Sequence, residues 1–451
     1  MSERVAIVGA GPTGLTLALE LGRFGIPSLV FDARSGPTDE GSRAIVIAKH
    51  ALQVWDRHGC AAPMVAKGVT LTRARTYWRE TELFVRELAP PKDDELPPFI
   101  NLQQTFTERV LQDAVAASSS IEVRWGARVA HVSQDGGAVT LTLNGADDLR
   151  AEFVIACDGA NSTVREALGI PFPGKAHQDR FLICDIRAAL PFPTERRFFF
   201  DPPFNPGRTV LIHPQPDDEW RIDWQVPEET NAEEELASGR LHERITRIVG
   251  DAEYEIAWLT AYRFHQRVAE RWHADRIFLA GDAAHRFSPF GARGMNSGVE
   301  DAANLGWKLA AVLRGEANQQ LLDSYESERR GAALVNLRVT SDTMRFMAPP
   351  STTRRIVRNA ILRGSPRLGF LRARVNSGRL ADPATYGHAP PLGRPAPADA
   401  PRRAVEGTLE FTTATIAGIE YLVRPDGYVC ERVNGDPERA VRRALTGESA
   451  W

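Results

Sequence analysis

Val5-Ala-Ile-Val-Gly9-Ala-Gly11-Pro-Thr13-Gly14-Leu15 reads as a short apolar run, a glycine-rich turn and the start of a helix. Leu15, Ala18, Leu19 and Gly22 then recur at helical spacing, and Ser28-Leu-Val-Phe-Asp32 is a second apolar run closed by a carboxylate. Strand, turn, helix and strand in this order make a βαβ unit. Gly9 permits the tight turn after the strand, Gly11 lets a pyrophosphate approach the backbone, and Gly14 lets helix and strand pack closely. The helix N-terminus offers phosphate its unpaired N–H groups and the positive end of its dipole. Asp32 stands about twenty residues beyond Gly11, where an acid accepts from ribose hydroxyls. The stretch predicts an α/β fold with a Rossmann-like dinucleotide-binding domain.

Two further glycine-bearing stretches follow apolar strands. In Cys157-Asp158-Gly159-Ala-Asn-Ser162-Thr-Val-Arg165 an acid and a glycine at a strand end precede a hydroxyl placed to cap a helix. The third stretch is longer: Phe278-Leu-Ala-Gly281-Asp282-Ala-Ala-His285, then Pro289-Phe-Gly291-Ala-Arg293-Gly294-Met295-Asn296-Ser-Gly298 and Glu300-Asp301. A carboxylate at a strand end can hold a polyol hydroxyl. Closely spaced glycines let backbone N–H groups reach a planar ligand at a helix start, where the dipole favours negative charge on that ligand.

The chain of 451 residues allows two or three domains at about 150 residues each. Hydrophobic residues at 43% and charged residues at 25% are those of a folded protein. Lys plus Arg total 55 against Asp plus Glu 58, a net charge of −3, so no overall field draws the chain to nucleic acid. Four scattered cysteines lack metal-ligand spacing and suggest a reducing compartment. No signal-peptide pattern opens the sequence and no run of roughly 18 apolar residues predicts a membrane span; the expected location is cytoplasmic. Turn residues among β-branched runs predict antiparallel strands over 121–155 and a second sheet over 181–225. Helices are expected over 233–250 and 297–314, and a strand over 276–280. The Arg-rich 354–374 stretch, with Ile356, Val357, Ile361, Leu362 and Leu368 interleaved, reads as an amphipathic helix pair covering the second sheet. Residues 389–401 read as a Pro- and Ala-rich linker, with the tail beyond as a separate piece.

The three glycine stretches, in this order and at this separation, resemble the single-component FAD-dependent aromatic hydroxylases, flavoprotein monooxygenases of the p-hydroxybenzoate hydroxylase fold. Gly41-Ser-Arg43-Ala, Phe99-Ile-Asn-Leu-Gln-Gln104 with Glu108, and Phe200-Asp-Pro-Pro with His213 and Trp220-Arg-Ile-Asp-Trp-Gln225 are similar to the 3-(3-hydroxyphenyl)propionate hydroxylase-like branch. The resemblance assigns Gly9, Gly11, Thr13 and Gly14 to the FAD pyrophosphate and Asp32 to the adenosine ribose. It sets Arg43 and Gln104 beside flavin and ribityl, Asp282 on the ribityl hydroxyls, and Gly294, Met295 and Asn296 at the isoalloxazine edge. Arg34, Val129 and Pro289 join the cofactor-binding set, and Asp158 with Arg165 serves both FAD and the reducing nicotinamide. Asp32 departs from the family's usual glutamate.

The implied fold has a discontinuous FAD-binding domain (1–75, 100–180, 275–345) interleaved with a substrate-binding β-sheet domain (76–99, 181–274). A helical cover (346–388) follows, then the linker and an abbreviated thioredoxin-like C-terminal segment (389–451) without a Cys-x-x-Cys pair. The implied activity is hydroxylation of a phenolic or related aromatic substrate with O2 and NADH or NADPH, through a flavin C4a-hydroperoxide; the resemblance also admits a homodimer. The substrate is expected between the flavin and the second sheet. His213 and then Gln225 are the catalytic candidates, with Phe200 an apolar wall and Tyr262, His265 and His285 weaker ones. Competing readings are an FAD oxidoreductase of a non-aromatic substrate and a non-catalytic FAD-containing scaffold. A flavin halogenase is disfavoured, because Trp220 and Trp224 lack the Trp-x-Trp-x-Ile-Pro spacing.

Overall fold

A computed structural model describes residues 3–38, 44–88, 90–91, 95–145, 147–375, 382–386, 392–397, 400, 402–405 and 409–446. Val5, Ala6 and Ile7 are wholly buried, as a strand covered on both faces requires. That strand, Glu3–Val8, lies between Leu149–Ala156 and Ser28–Phe31 and runs parallel to both. Ile277–Leu279 extends the parallel sheet beyond Leu149–Ala156, and Ile121–Arg124 extends it beyond Ser28–Phe31. The 121–155 region is therefore not antiparallel throughout. Its first strand joins the parallel sheet, and only Val129–Gln134, Val139–Leu143 and the start of Leu149–Ala156 form a meander. The helices Pro12–Arg23 and Gly294–Leu313 pack together beside this sheet.

The second sheet has eight strands, in the order His285–Arg286, Glu255–Val268, Gly174–Arg187, Glu219–Val226, Thr209–Pro214, Glu195–Phe200, Arg73–Trp78 and Thr81–Glu87. The expected boundaries at 75/76 and 180/181 fall inside Arg73–Trp78 and Gly174–Arg187, since both strands belong to this sheet along their whole length. Alternation assigns its two faces. Leu182, Cys184, Val210, Ile212, Trp220, Ile222 and Trp224 pack beneath Leu241 and Ile245. The single helix expected over 233–250 is two, Ala232–Ala237 and Arg240–Val249, because Gly239 turns left-handed between them at φ +78°. The opposite face carries Phe181, Leu211 and Phe264 against Phe290, Met344 and Met347.

The helices Thr352–Gly364 and Gly369–Val375 lie over one margin of this sheet: Leu362 is buried with Leu83, Phe84 and Phe200, and the Arg363 guanidinium stacks 4.6 Å from the Trp78 ring centre. The tail forms an antiparallel sheet of Arg402–Ala404, Thr412–Ile416, Ile419–Val423 and Val429–Arg432 with the helix Pro437–Thr446. It is not a separate piece. Phe411 packs edge-on to Trp307 at 5.7 Å, and buried Arg424 donates to both oxygens of Glu328 (2.8 and 3.1 Å), which also accepts from Lys308 (3.0 Å). Charges so far from water persist only when paired, so the tail is docked by its polar groups as well as its apolar ones. Among the described residues no helix is long and apolar enough to cross a membrane.

Candidate active site

The first glycine stretch is built for close approach. A side chain at Gly9, where φ is +109°, would set its Cβ 2.3 Å from the Cys157 carbonyl oxygen, and one at Gly14 would meet the Gly9 oxygen at 2.0 Å. At Gly11 nothing lies within 4 Å of the Cβ position, and no side chain caps the helix that starts there. Its first N–H groups are thus left to a ligand. Thr13 locks the first stretch to the third: a Cβ on Gly281 or Gly298 would lie 2.7 or 2.3 Å from its Oγ1. Two glycines from the far end of the domain form the slot that holds it.

Asp32 ends the second strand and accepts from Ala10 N (2.8 Å) and from Arg34 N and Nε (2.8 and 3.0 Å). Burial opposes its charge, but the Arg34 bonds hold the carboxyl below its ordinary range. Arg34 also reaches Glu108 and Ala10 O and donates from Nη2 to the second Asp32 oxygen. Gln104 accepts from Ala44 N and donates to Glu108. Val129 is buried at the start of its strand. Arg43 lies outside the described residues.

In the second stretch Ser162 caps the helix Thr163–Ala167 by accepting from Arg165 N. Asp158 accepts from Val164 N through one oxygen while the other, enclosed, has no partner. Burial raises its carboxyl. Arg165 donates to Ala283 O (3.0 Å) and Ala160 O (3.2 Å), so it ties the second stretch to the third.

Asp282 stands exposed on the turn Gly281–Ala283. Asp301, which the sequence reading left without a role, holds that turn: it accepts from Gly281 N (3.0 Å) and Arg329 Nε (2.7 Å) and lies 2.7 Å from His285 Nε2. His285 is fully buried between Trp272 and Phe287, which makes it a support for the loop. Beyond exposed Pro289, Ala292 turns left-handed at φ +53° just before the long helix begins at Gly294, a strained position of the kind kept at ligand sites. Asn296 donates to Ala292 O and Val46 O and accepts from Ala48 N. It pins the loop, and half-buried Met295 packs against the core beside it.

Across from this loop lies the polar side of the second sheet, in cross-strand rows. One row runs Asp185, Arg221, His213, Arg196, Ala74; the next runs Ile183, Asp223, Leu211, Phe198. Arg221 and Asp185 form a buried bidentate pair (2.7 and 2.6 Å). His213 is buried with Nδ1 unpartnered, and burial, then Arg196 and Arg221, keep its imidazole well below the ordinary range and neutral. Gln225 is engaged inside the sheet: its oxygen accepts from Thr209 N and Oγ1, and its nitrogen donates to Asp179. Phe200 packs under the cover against Phe346 and Leu362. Sequence reasoning missed Asp223 and Arg196. Asp223 has an unpartnered oxygen, and burial, only partly opposed by Arg221, lifts its carboxyl to about 7. The overlooked signal is the strict alternation Trp220, Ile222, Trp224, Val226 against Glu219, Arg221, Asp223, Gln225.

Residues 2–340 match the model of the FAD binding domain family. The chain belongs to that family. Among its relatives are a 3-(3-hydroxy-phenyl)propionate/3-hydroxycinnamic acid hydroxylase of Mycobacterium sp. (strain KMS), 31% identical over 80% of this chain, and the rifampicin monooxygenase of Streptomyces venezuelae, 33% identical over 78% of this chain and 74% of that one. The chain spans only 62% of the length of the Mycobacterium hydroxylase. Similar solved structures are p-nitrophenol 4-monooxygenase PnpA of Pseudomonas putida DLL-E4 (TM-score 0.72, 27% identity, 84% of this chain and 98% of that one) and the OxyS anhydrotetracycline hydroxylase of Streptomyces rimosus (TM-score 0.73, 26% identity, the whole of both chains).

The residues of this FAD-binding protein fit the cofactor. The open helix start at Gly11 suits a pyrophosphate, and exposed Asp282 suits a polyol chain. Thr13 packs against Gly281 and Gly298, and the Asn296 side chain bonds Ala48 N, Val46 O and Ala292 O, so both also hold the segments together. Asp282→Ala is expected to weaken FAD binding about tenfold, the value of one charge-assisted hydrogen bond to a hydroxyl, and so to lower the flavin retained, with the protein still folded. The absorbance ratio of flavin to protein in the purified variant checks it, and undiminished flavin would remove the assignment.

Proposed function

We propose that the protein is an FAD-dependent monooxygenase that takes electrons from NADH or NADPH and inserts one atom of O2 into a phenolic or related aromatic ring. One observation carries the reading. The loop that presents the flavin site and the polar face of the second sheet are joined by a single aromatic cluster, Phe290 packing at 5.3 Å from Phe181 and 6.1 Å from Phe264. A ring bound between them is held by polar groups on one side and reached by the cofactor on the other. The relatives named hydroxylase and monooxygenase support the same reading. The free cysteines support a reducing, cytoplasmic setting.

When bound, FAD supplies the redox chemistry and the activation of oxygen. The chain's own residues bind, orient and deprotonate. A phenol is a better nucleophile as phenolate, and Asp223, with its carboxyl near 7, is matched to accept that proton at neutral pH. Neutral His213 orients the ring as a hydrogen-bonding neighbour. Asp223→Asn is expected to lower turnover about a hundredfold or more and to abolish the rise of activity with pH through about 7, with FAD content unchanged. A pH–rate profile of both proteins decides it. The activity as a whole is tested by NAD(P)H consumption across a panel of phenols, coupled to a product about 16 mass units heavier, one oxygen atom. If no phenol or polycyclic aromatic stimulates consumption, the reading fails.

A further inference from the structure

Nine arginines stand between Asp342 and Asp382 with no acid among them, in a chain whose acids outnumber its Lys and Arg, 58 against 55. The two helices of that stretch, Thr352–Gly364 and Gly369–Val375, are fixed from beneath. Leu362 is buried with Leu83, Phe84 and Phe200, the Arg363 and Arg372 guanidinium groups lie on the Trp78 and Phe84 rings, and Arg358 donates to Met347 O (3.2 Å). The Leu371 side chain reaches to 2.6 Å from where a Cβ on Gly364 would stand, so the helices lie side by side. Their outward side has no use within the fold. Thr353, Ile356, Ala360 and Arg363 recur there at helical spacing, all exposed. Ile356, Val357, Leu368 and Phe370 are 64, 54, 45 and 67% exposed: of the seven large apolar side chains left in water among the described residues, four fall within this short stretch. Around them Arg354, Arg355, Arg367 and Arg374 are exposed, and their guanidinium groups have no partner among the described residues. A mere cover would carry solvated charges of both signs here, not large apolar tips amid charge of one sign.

We propose that this face docks the protein on an anionic bilayer surface, with the helix pair lying in the plane of the interface. Arginine grips lipid phosphates as a planar, two-pronged donor, while Ile, Leu and Phe tips enter the boundary between headgroups and acyl chains. The long arginine stem lets the charge stay at the level of the phosphates while the tips beside it go deeper. Other occupants fit less well. A second copy seated on the same face about a two-fold axis would set like charge against like. Nucleic acid would use the arginines and leave Ile356 and Phe370 in water. With more than half of Ile356, Val357 and Phe370 in solvent, the tips project and do not line a groove, which fits a fluid surface and not a shaped protein partner. The attachment is peripheral, since none of the described helices is long and apolar enough to cross a bilayer. Both helices are already packed on the second sheet, so docking requires no new ordering of the chain.

The inference is independent of the reaction. The FAD-loaded full chain is floated with vesicles of pure phosphatidylcholine and of phosphatidylcholine with one-third phosphatidylglycerol, at low and high salt. Affinity for the anionic vesicles is expected to exceed that for the neutral ones at least about tenfold and to fall with salt. Each exposed arginine removed is expected to weaken binding about fivefold, the usual effect of one charge at such a surface. The triple variant Arg354→Gln, Arg355→Gln, Arg367→Gln therefore loses about a hundredfold, and Phe370→Ser about tenfold. Phe370→Trp reports entry into the interface: the added indole should emit further to the blue on anionic vesicles and be quenched by brominated acyl chains. Flavin content equal to the parent's shows that each variant is folded. The proposal is overturned if anionic vesicles bind no better than neutral ones, if the triple variant binds them as well as the parent does, or if the Phe370→Trp emission ignores them. It is also overturned if polyglutamate or duplex DNA binds as tightly as the anionic vesicles and Phe370→Ser leaves that binding intact, since the face would then serve an acidic macromolecule. A parent dimer that Phe370→Ser converts to monomer would assign the face to a second copy and overturn it too.

Discussion

Arg424→Met is expected to cost about 3–5 kcal/mol of stability, the penalty for stripping a buried ion pair of one partner. Arg424 neutralises two carboxylates at once, Glu328 (2.8 and 3.1 Å) and Asp426 (3.0 Å through Oδ1), all three side chains being nearly inaccessible. Among the described cations only Lys308 would remain beside Glu328 (3.0 Å), with Asn304 still donating at 2.7 Å, and burial already lowers the Lys308 ammonium to about 8. The loss should show as a fall in the urea midpoint at neutral pH, and it carries a pH signature. Burial opposes the charge on Glu328, but Arg424 and then Lys308 bring its carboxyl from 4.5 to about 2. A carboxyl depressed in the folded state stabilises fully above its unfolded value and loses that contribution as pH falls through the folded one. The native protein should therefore give up this contribution between about pH 4.5 and 2, whereas Arg424→Met lacks the Arg424 share of it throughout. Equal acid-unfolding curves for the two proteins would refute the role given to the network.

A second large effect is expected at Gly14, and its meaning depends on a comparison with Gly11. Alanine at Gly14 forces a Cβ to within 2.0 Å of the Gly9 carbonyl oxygen, a clash of backbone against helix that no rotamer change relieves. Strain of about 1–3 kcal/mol is expected in the folded protein, with FAD affinity lower by a factor of about ten to a hundred. Gly11→Ala meets no protein atom within 4 Å and keeps a φ of −82° that alanine accepts. It should leave the thermal stability of the FAD-free protein untouched and still weaken FAD, because the methyl stands where phosphate approaches. Melting curves with and without FAD separate the two cases. A Gly11→Ala protein that binds FAD normally would move the pyrophosphate off this turn.

The parts of the fold that were legible have local signatures. The βαβ start, the Ser162 cap and the loop before the long helix each depend on residue types within a dozen positions, and each forms where the spacing put it. The polar face of the second sheet was legible only in part, because its arrangement arises between strands. His213 was reached through its strand. Arg196 and Asp223 gain significance only from a register that sets three strands side by side, and a single sequence does not state that register. The bonds of Gln225 were hidden for the same reason: Thr209 and Asp179 stand close enough to use its amide only once the strands are side by side. The docking of the tail was hidden because Arg424 and Glu328 look like ordinary surface charges until they are seen buried together.

The slot that grips Thr13 has a bearing on synthesis. When a ribosome has released the first half of the chain, the nucleotide-binding turn exists, but Gly281 and Gly298, which clasp it, have yet to be made. The nascent N-terminal segment must wait for its clasp, and the vitamin-derived prosthetic group can be secured only late in translation or after release.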